Sequence, residues 1–416
     1  MATHVVIVGG GFAGLTAAKY LKSNDFRVTI IDKSNHHLFQ PLLYQVATAA
    51  LSPGDIAVPI RAVFTKRKNV TVILGRVNKI DKAAKKVFLQ EGDEINYDYL
   101  VLAPGAKYNY FGNDGWAKHA PGLKSLDNAL QIRERILLSL EKAEKIPDLE
   151  KRKPYLTYVV IGAGPTGVEM AGSIAEIAKR NMMRDYRNFH RNETTIYLVE
   201  AAGNVLNGFP EKLSDSALNT LNKMGVQVIL NSPVQEITEK GVQLKNHFIE
   251  TPNVIWAAGV SAASILNELN EESDRIGRVK VRKDLTIPSD DHIFVLGDAA
   301  HFPDKDGKLL PGVAPVALQQ GRFVGKLLRD ELKGKERGEF NYVDKGTMAT
   351  IGRAKAVADI RGFKLSGVFA WLMWGFIHIF FLIGFRNRFR VFAEWIWHYL
   401  TFKRGVRLIA KKEGSL

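Results

Sequence analysis

Two copies of one glycine pattern constrain this chain more than anything else in it. Gly9, Gly11 and Gly14 follow the apolar run VVIV and open FAGLTAAKYL; Gly162, Gly164 and Gly167 follow YVVI and open PTGVEMAGSI. Each copy leads to a second apolar run that ends in an acid, Asp32 in FRVTIID and Glu200 in TTIYLVE. The physics of the pattern is that of a pyrophosphate held against backbone. The first glycine permits the tight turn out of a strand, the second has no Cβ to block the phosphates, and the third lets the helix lie close to the sheet. The helix N-terminus then offers unpaired N–H groups to the anion. Pro165 falls in the first turn of the second helix, where a missing N–H costs nothing. The acid at the next strand end suits ribose hydroxyls. Strand, turn, helix, strand and acid in that order, twice, predict two dinucleotide sites.

The spacings differ. Asp32 lies 18 residues after Gly14, and Glu200 lies 33 after Gly167. The longer interval predicts an extended helix through AEIAKRNMMRDYRNFHRN. No arginine follows Glu200 in EAAG to receive a 2′-phosphate, which favours NADH over NADPH.

The strand LVLAPGA (100–106) returns the first unit, and NVIWAAGV (253–260) echoes it in the second. DHIFVLGDAA (291–300) and the helix in PGVAPVALQQGRFVGKLL (311–328) bring the chain back to the first unit. The expected fold is therefore α/β: two Rossmann-type domains with parallel sheet centres, the second inserted in the first, and a C-terminal amphipathic helical membrane-anchoring region. The expected segments are 1–113 and 266–330 for the first domain, 114–265 for the second with its charged helical connector, and 331–416 for the tail.

The chain has 416 residues, a net charge of +15 and no cysteine. The missing thiols exclude a disulfide framework, a thiolate metal site and a dithiol active site, and no metal site is expected. The first strand begins almost at residue 1, and no targeting segment is expected ahead of it. Cations gather at the end: Arg386, Arg388, Arg390, Lys403, Arg404, Arg407, Lys411 and Lys412 stand against Glu394 alone, among many aromatic residues. Such a mixture suits an anionic membrane surface. No nucleic-acid-binding signature accompanies it, so nucleic acid is not an expected partner. The apolar run 367–385 admits three arrangements: a membrane span, a pair of surface helices, or a buried helix at a subunit contact. The arginines that follow it favour anchoring at the interface.

The chemistry follows from the two sites. The first is expected to hold non-covalent FAD through Gly9, Gly11, Gly14 and Asp32, with Asp298 of VLGDAA on the ribityl chain or acting only as a helix cap. Phe12, Ala13, Lys33, Val77, Ala103 and Gly105 complete that set. The second is expected to receive NADH on Gly162, Gly164, Gly167 and Glu200. Gly259 in WAAGV either allows close approach at the nicotinamide or marks a plain strand-end turn. Glu169 is a carboxylate in an apolar helix, costly to bury unless paired or useful; it suits proton relay or nicotinamide placement, and a helix-turn ion pair is the simpler alternative. His36 and His37 read as solvated or capping residues, and His378 as a residue at headgroup level. With no cysteine pair to receive them, electrons must leave for a small acceptor, a quinone or a protein.

The stretches VVIVGGGFAGLTAA, HHLFQPLLYQVATAALSP, VIGAGPTGVEMAGSI, FVLGDAA and PGVAPVALQQGR, with the aromatic-basic tail, resemble the type II, non-proton-pumping NADH:quinone oxidoreductases over essentially the full length. The resemblance implies FAD, NADH as donor, a membrane quinone as acceptor, a homodimer, and the cytoplasmic face of a bacterial inner membrane. It implies that Glu169 is the carboxylate feeding protons toward quinone, and that Gln319 and Gln320 act at the quinone. Ala317 and Gln319 match the family pattern Ala-Gln-x-Ala-x-Gln, but Pro315 replaces its first glutamine. FQPLLYQV is expected over the flavin ring at the edge of the quinone passage. Two other functions satisfy the same glycine patterns: a flavin reductase of a soluble acceptor such as ferredoxin or rubredoxin, and a non-catalytic NADH-sensing flavoprotein.

Overall fold

The computed structural model describes residues 2–178, 185–401 and 405–409. The chain divides into two compact units. One comprises Met1–Leu38, Ala57–Lys107 and Val260–Asp344; the other comprises Phe39–Ile56, Tyr108–Gly259 and Lys345–Leu416. The second βαβ unit is thus inserted in the first. The short segment Phe39–Ile56 also belongs to the second unit, where its helix Leu43–Ala47 packs on the helices Leu126–Lys145 and Pro165–Glu176.

The first unit is built on a six-stranded sheet in the order Thr286–Ile287, Asp290–Val295, Tyr99–Leu102, Thr3–Val8, Phe26–Asp32, Val70–Leu74. All neighbours are parallel except the first pair. The strand Thr3–Val8 is apolar on both faces because both are covered, as a central parallel strand requires. A three-stranded antiparallel meander, Val77–Asp81, Lys86–Leu89 and Glu94–Asn96, supplies Val77, Ile80, Val87 and Leu89 to one core cluster with Val6, Leu100 and Ile293. On another side the helices Phe12–Tyr20 and Ala314–Glu331 lie so close that a Cβ on Gly321 would stand 2.2 Å from the carbonyl oxygen of Ala13.

The second unit repeats the plan. Its parallel sheet runs Val226–Ile229, Thr195–Val199, Thr157–Ile161, Asn253–Trp256, and an antiparallel meander, Glu236–Thr238, Gly241–Gln243 and Phe248–Glu250, precedes the returning strand. After residue 345 come three antiparallel strands, Thr347–Gly352, Lys355–Ile360 and Phe363–Gly367, then the helices Val368–Phe381 and Phe385–Thr401.

One expectation about helices is corrected here, and one of the three arrangements left open for the apolar run is removed. The long interval before Glu200 is not one extended helix. The α-helix ends at Glu176 and continues as a π turn through Ile177 and Ala178, residues 179–184 lie outside the described residues, and Asp185–His190 run as turn and loop before a single 3-10 turn, Arg191–Glu193. The tyrosine in that loop explains its path, since Tyr186 donates to Glu141 of the connector helix at 2.9 Å. The apolar run 367–385 is also not one element: its helix stops at Phe381 and the chain turns at Gly384, with φ +90°. Among the described residues, no helix is long and apolar enough to cross a membrane.

Candidate functional site

The two glycine turns adopt the same geometry. Gly9 has φ +105° and Gly162 φ +98°, a region that strongly favours glycine. A Cβ on Gly9 would lie 2.2 Å from the carbonyl oxygen of Ala103, and one on Gly162 would lie 2.8 Å from the backbone of Ala258. Gly14 and Gly167 are closed against the carbonyls of Gly9 and Gly162. Gly11 and Gly164 face open space, as a cradle for an approaching phosphate needs. The terminal acids close the turns. Asp32 accepts from the N–H groups of Gly10 at 2.6 Å and Ser34 at 2.7 Å; Glu200 accepts from Ala163 at 2.6 Å and Ala202 at 2.9 Å.

Around the first turn, Phe12 meets the His37 ring edge-on, with centroids 5.0 Å apart. His37 is buried, not solvated: burial holds its imidazole down at about 4, so it is neutral, and Nδ1 lies 3.0 Å from the carbonyl oxygen of Gly10. That contact steadies the glycine turn. His36 stays in reach of solvent beside Asn35. Ala13 and Ala103 are buried, Val77 is buried at the head of its strand, and Gly105 turns with φ +71°. Lys33 follows the strand that ends in Asp32.

Gln320 is buried, and its Oε1 accepts from the N–H of Gly297 at 2.6 Å, next to Asp298. Gln319 spends both ends of its amide on residue 343, donating to the carbonyl of Val343 at 2.9 Å and accepting from its N–H at 3.0 Å. Both glutamines therefore brace backbone in this structure. Ala317 is buried on the same helix, with its Cβ 3.5 Å from where a Cβ on Gly297 would stand. Pro315 occupies the first turn of that helix, where no N–H is needed.

In the second unit, Gly259 has φ +63°, and the space beside it holds the end of the Phe111 ring. Glu169 is carried inward by the helix Pro165–Glu176. Burial pushes its carboxyl up to about 8, and a long 3.4 Å hydrogen bond from the Thr350 N–H only partly opposes this. Among the described residues it has no ion pair, so the helix-turn salt bridge is absent. It stands in the wall of a cavity of about 120 Å³, lined also by Tyr44, Gln45, Ser173, Thr350, Trp374 and Trp395. Every lining residue belongs to the second unit.

The C-terminal helices form part of this wall. Trp395 donates through Nε1 to Gln45 Oε1 at 2.8 Å, and Gln45 donates through Nε2 to the Tyr44 hydroxyl at 2.8 Å. His398 Nε2 lies 2.9 Å from the carbonyl oxygen of Ala50. On the other side the same two helices expose Phe369, Leu372, Phe376, Phe380, Phe385, Phe389 and Phe392. Arg386, Arg388 and Arg390 are exposed among them, whereas Lys403, Arg404, Lys411 and Lys412 lie outside the described residues. His378 is not a headgroup-level side chain. It stacks on Trp374 at 4.3 Å, meets Phe39 edge-on, and burial holds it at about 4.

Sequence reasoning missed the polar string of Trp395, Gln45 and Tyr44. Its one signal is an adjacent tyrosine and glutamine inside the apolar run LLYQVA.

Comparisons agree with this geometry. A family model described as pyridine nucleotide-disulphide oxidoreductase matches residues 3–321, and one described as the NDH2 C-terminal domain matches residues 345–404. The type II NADH:quinone oxidoreductase Ndh of Mycobacterium tuberculosis (strain ATCC 25618 / H37Rv) is 42% identical, over 99% of this chain and 91% of its own length. The type II NADH:quinone oxidoreductase of Staphylococcus haemolyticus (strain JCSC1435) is 32% identical, over 87% of this chain and 91% of that protein. In fold, the chain is similar to NDH2 from Plasmodium falciparum in complex with NADH, with a TM-score of 0.89 at 22% identity, covering 99% of this chain and 100% of that one.

Proposed function

The chain belongs to the type II NADH:quinone oxidoreductases, and from that premise we propose how its own residues divide the transfer of electrons from NADH to quinone. The first glycine turn suits FAD. Gly11 leaves open space at a helix N-terminus, and the first turn of that helix carries no acid. Gly9, Gly11, Phe12, Ala13, Gly14, Asp32 and Lys33 would hold its adenosine diphosphate half, with Val77, Ala103, Gly105, Asp298 and Ala317 completing the site. When bound, FAD supplies the two-electron carrier between nicotinamide and quinone. Gln320 keeps Gly297 and therefore Asp298 in place, and Gln319 fixes the neighbouring strap at Val343.

NADH takes the second turn, on Gly162, Gly164 and Gly167, with Glu200 toward the ribose and Gly259 at the end of the returning strand. Quinone reduction also consumes two protons. Glu169 is protonated at neutral pH because it is buried, so it is a proton donor already in the cavity wall. That single observation, a neutral carboxylic acid in an aromatic cavity, carries the reading of the cavity as the quinone site.

The exposed apolar face of the last two helices, interleaved with arginine, supports docking on an anionic membrane surface. Lipid-soluble quinone then has the cavity beside its own solvent. NADH is an intracellular reductant, which favours the cytoplasmic face of a bacterial inner membrane, and the homodimer of the family completes the reading. The test is anaerobic: purified protein is reduced with NADH, then offered a short-chain quinone or ferredoxin. Re-oxidation by quinone alone supports this reading; re-oxidation by ferredoxin alone replaces it with a soluble-acceptor enzyme.

A further inference from the structure

Phe111 holds a backbone conformation that bulky residues avoid, with φ +53°, while 64% of it is exposed. Two asparagines pin the turn. Asn109 Oδ1 accepts from the Phe111 N–H at 2.8 Å, and Asn113 Nδ2 donates to the carbonyls of Tyr110 at 3.3 Å and Phe111 at 3.4 Å. The Asn109 N–H donates to the carbonyl of Gly259 at 3.4 Å. The ring leans on that same glycine, for a Cβ on Gly259 would stand 2.6 Å from Phe111 Cζ. Trp256 flanks it, with ring centroids 6.1 Å apart. All these residues belong to the second unit. Backbone strain persists only where the surroundings over-determine it, and it gathers at ligand sites.

The sheet order decides which end of a dinucleotide meets this ring. Thr157–Ile161 pairs in parallel with Thr195–Val199 on one side and with Asn253–Trp256 on the other. The glycine turn leaves the end of Thr157–Ile161. Glu200 follows the first neighbour and is the acid suited to the adenosine ribose. With the pyrophosphate on the turn, the nicotinamide half has the other neighbour, which runs out through Ala257, Ala258 and Gly259. That end lies against the turn: the Ala257 N–H donates to the carbonyl of Ile161 at 2.7 Å, and a Cβ on Gly162 would lie 2.8 Å from the backbone of Ala258.

We propose that Phe111 binds the nicotinamide ring of the dinucleotide, packing its own ring against it beside Gly259. The proposal rests on the second glycine turn being the NADH site. The dihydronicotinamide of NADH is neutral, whereas the ring left after hydride loss is a cation. An aromatic face attracts that cation beyond what a neutral ring gains. Phe111 therefore contributes more to holding NAD⁺ than to holding NADH, and it delays release of the product.

The experiment uses the full-length, flavin-loaded protein in its oxidised form, with binding read by titration calorimetry. The probes are NAD⁺, ADP-ribose, which lacks the nicotinamide, and tetrahydro-NAD, whose ring is neutral and gives no hydride. Phe111→Leu keeps an apolar side chain and removes the ring. Its affinity for NAD⁺ is expected to fall about threefold to tenfold, the worth of one aromatic contact. Tetrahydro-NAD is expected to lose less, and ADP-ribose nothing. Retained flavin and unchanged ADP-ribose binding then show that the variant is folded. Phe111→Tyr keeps the ring and is expected to bind NAD⁺ as the wild type does. Equal losses of NAD⁺ and ADP-ribose in Phe111→Leu make the residue a prop of the turn and overturn the proposal; so does unchanged affinity for NAD⁺. A loss for NAD⁺ no larger than that for tetrahydro-NAD overturns the preference for the oxidised form. If Glu200→Ala leaves ADP-ribose affinity at the wild-type value, the NADH reading of the second turn fails first and the proposal falls with it.

Discussion

Glu200 accepts a 2.6 Å hydrogen bond from the N–H of Ala163, and Asp32 makes the same bond to Gly10 at the same distance. In both units the acid from the second strand reaches back to the residue between the first two glycines. Each carboxylate thus shapes the glycine turn of its own unit. Glu200→Ala is expected to raise the KM for NADH at least tenfold while flavin content stays at the wild-type level. Asp298→Ala is expected to do the reverse, losing flavin on dilution. Absorbance of the retained flavin and steady-state titration with NADH measure both; equal flavin loss in the two variants would contradict the assignment of the two sites.

Glu169 predicts a pH dependence. Its carboxyl rises from 4.5 to about 8 on folding, because burial disfavours the anion. Between those values the folded protein binds the extra proton. The associated stability is fully present below 4.5 and is lost as pH rises through about 8. Glu169→Gln should therefore melt less steeply with rising pH than the wild type. The kinetic expectation has the same sign. Quinone-dependent re-oxidation should decline above pH 8 in the wild type, and in Glu169→Gln that limb should vanish while the rate falls about a hundredfold. Stopped-flow re-oxidation across pH 6–10 checks it, with the flavin reduced beforehand.

Removing the tail is a poor test of membrane binding, because Trp371, Trp374, Trp395, His398 and Tyr399 in that tail also line the cavity. Single charges on its outer face separate the two roles. Phe376 and Phe389 are 71% and 64% exposed. Burying one phenylalanine in the lipid interface contributes about 1.5–3 kcal/mol. Phe376→Glu with Phe389→Glu should abolish co-sedimentation with anionic vesicles while menadione still binds. Undiminished co-sedimentation would count against this face.

Gly172 tests the support beneath Glu169. A Cβ there would stand 1.6 Å from the carbonyl oxygen of Ile351, on the strand that carries Thr350. Gly172→Ala must push that strand away, at about 1–3 kcal/mol. A fall in Tm is expected together with slower quinone reduction; a Tm within error of the wild type would show that the strand yields freely.

Much of this was legible from the chain alone. The glycine turns, their acids, the inserted second unit and the buried return strands follow from local rules, because a strand, a tight turn and a helix leave their residues close together in sequence. The cavity did not. It joins Tyr44 and Gln45 to Glu169 and to Trp395, positions separated by more than a hundred residues at each step, and no periodicity announces that meeting. The same blindness applies to His37 and His378. A histidine in a polar-looking or membrane-like stretch reads as solvated until the Gly10 carbonyl or the Trp374 ring is seen against it. Gln319 and Gln320 matched a family pattern by type, yet only the structure shows their amides spent on Val343 and Gly297.

The central claim is that one protein takes electrons from NADH and gives them to quinone without a thiol. The most direct measurement is the absorbance of the bound flavin under anaerobic conditions, first with one equivalent of NADH and then with one equivalent of menadione. The account predicts bleaching followed by full recovery of colour, and recovery slowed about a hundredfold in Glu169→Gln. A flavin that bleaches with NADH but stays bleached in the presence of quinone would contradict it.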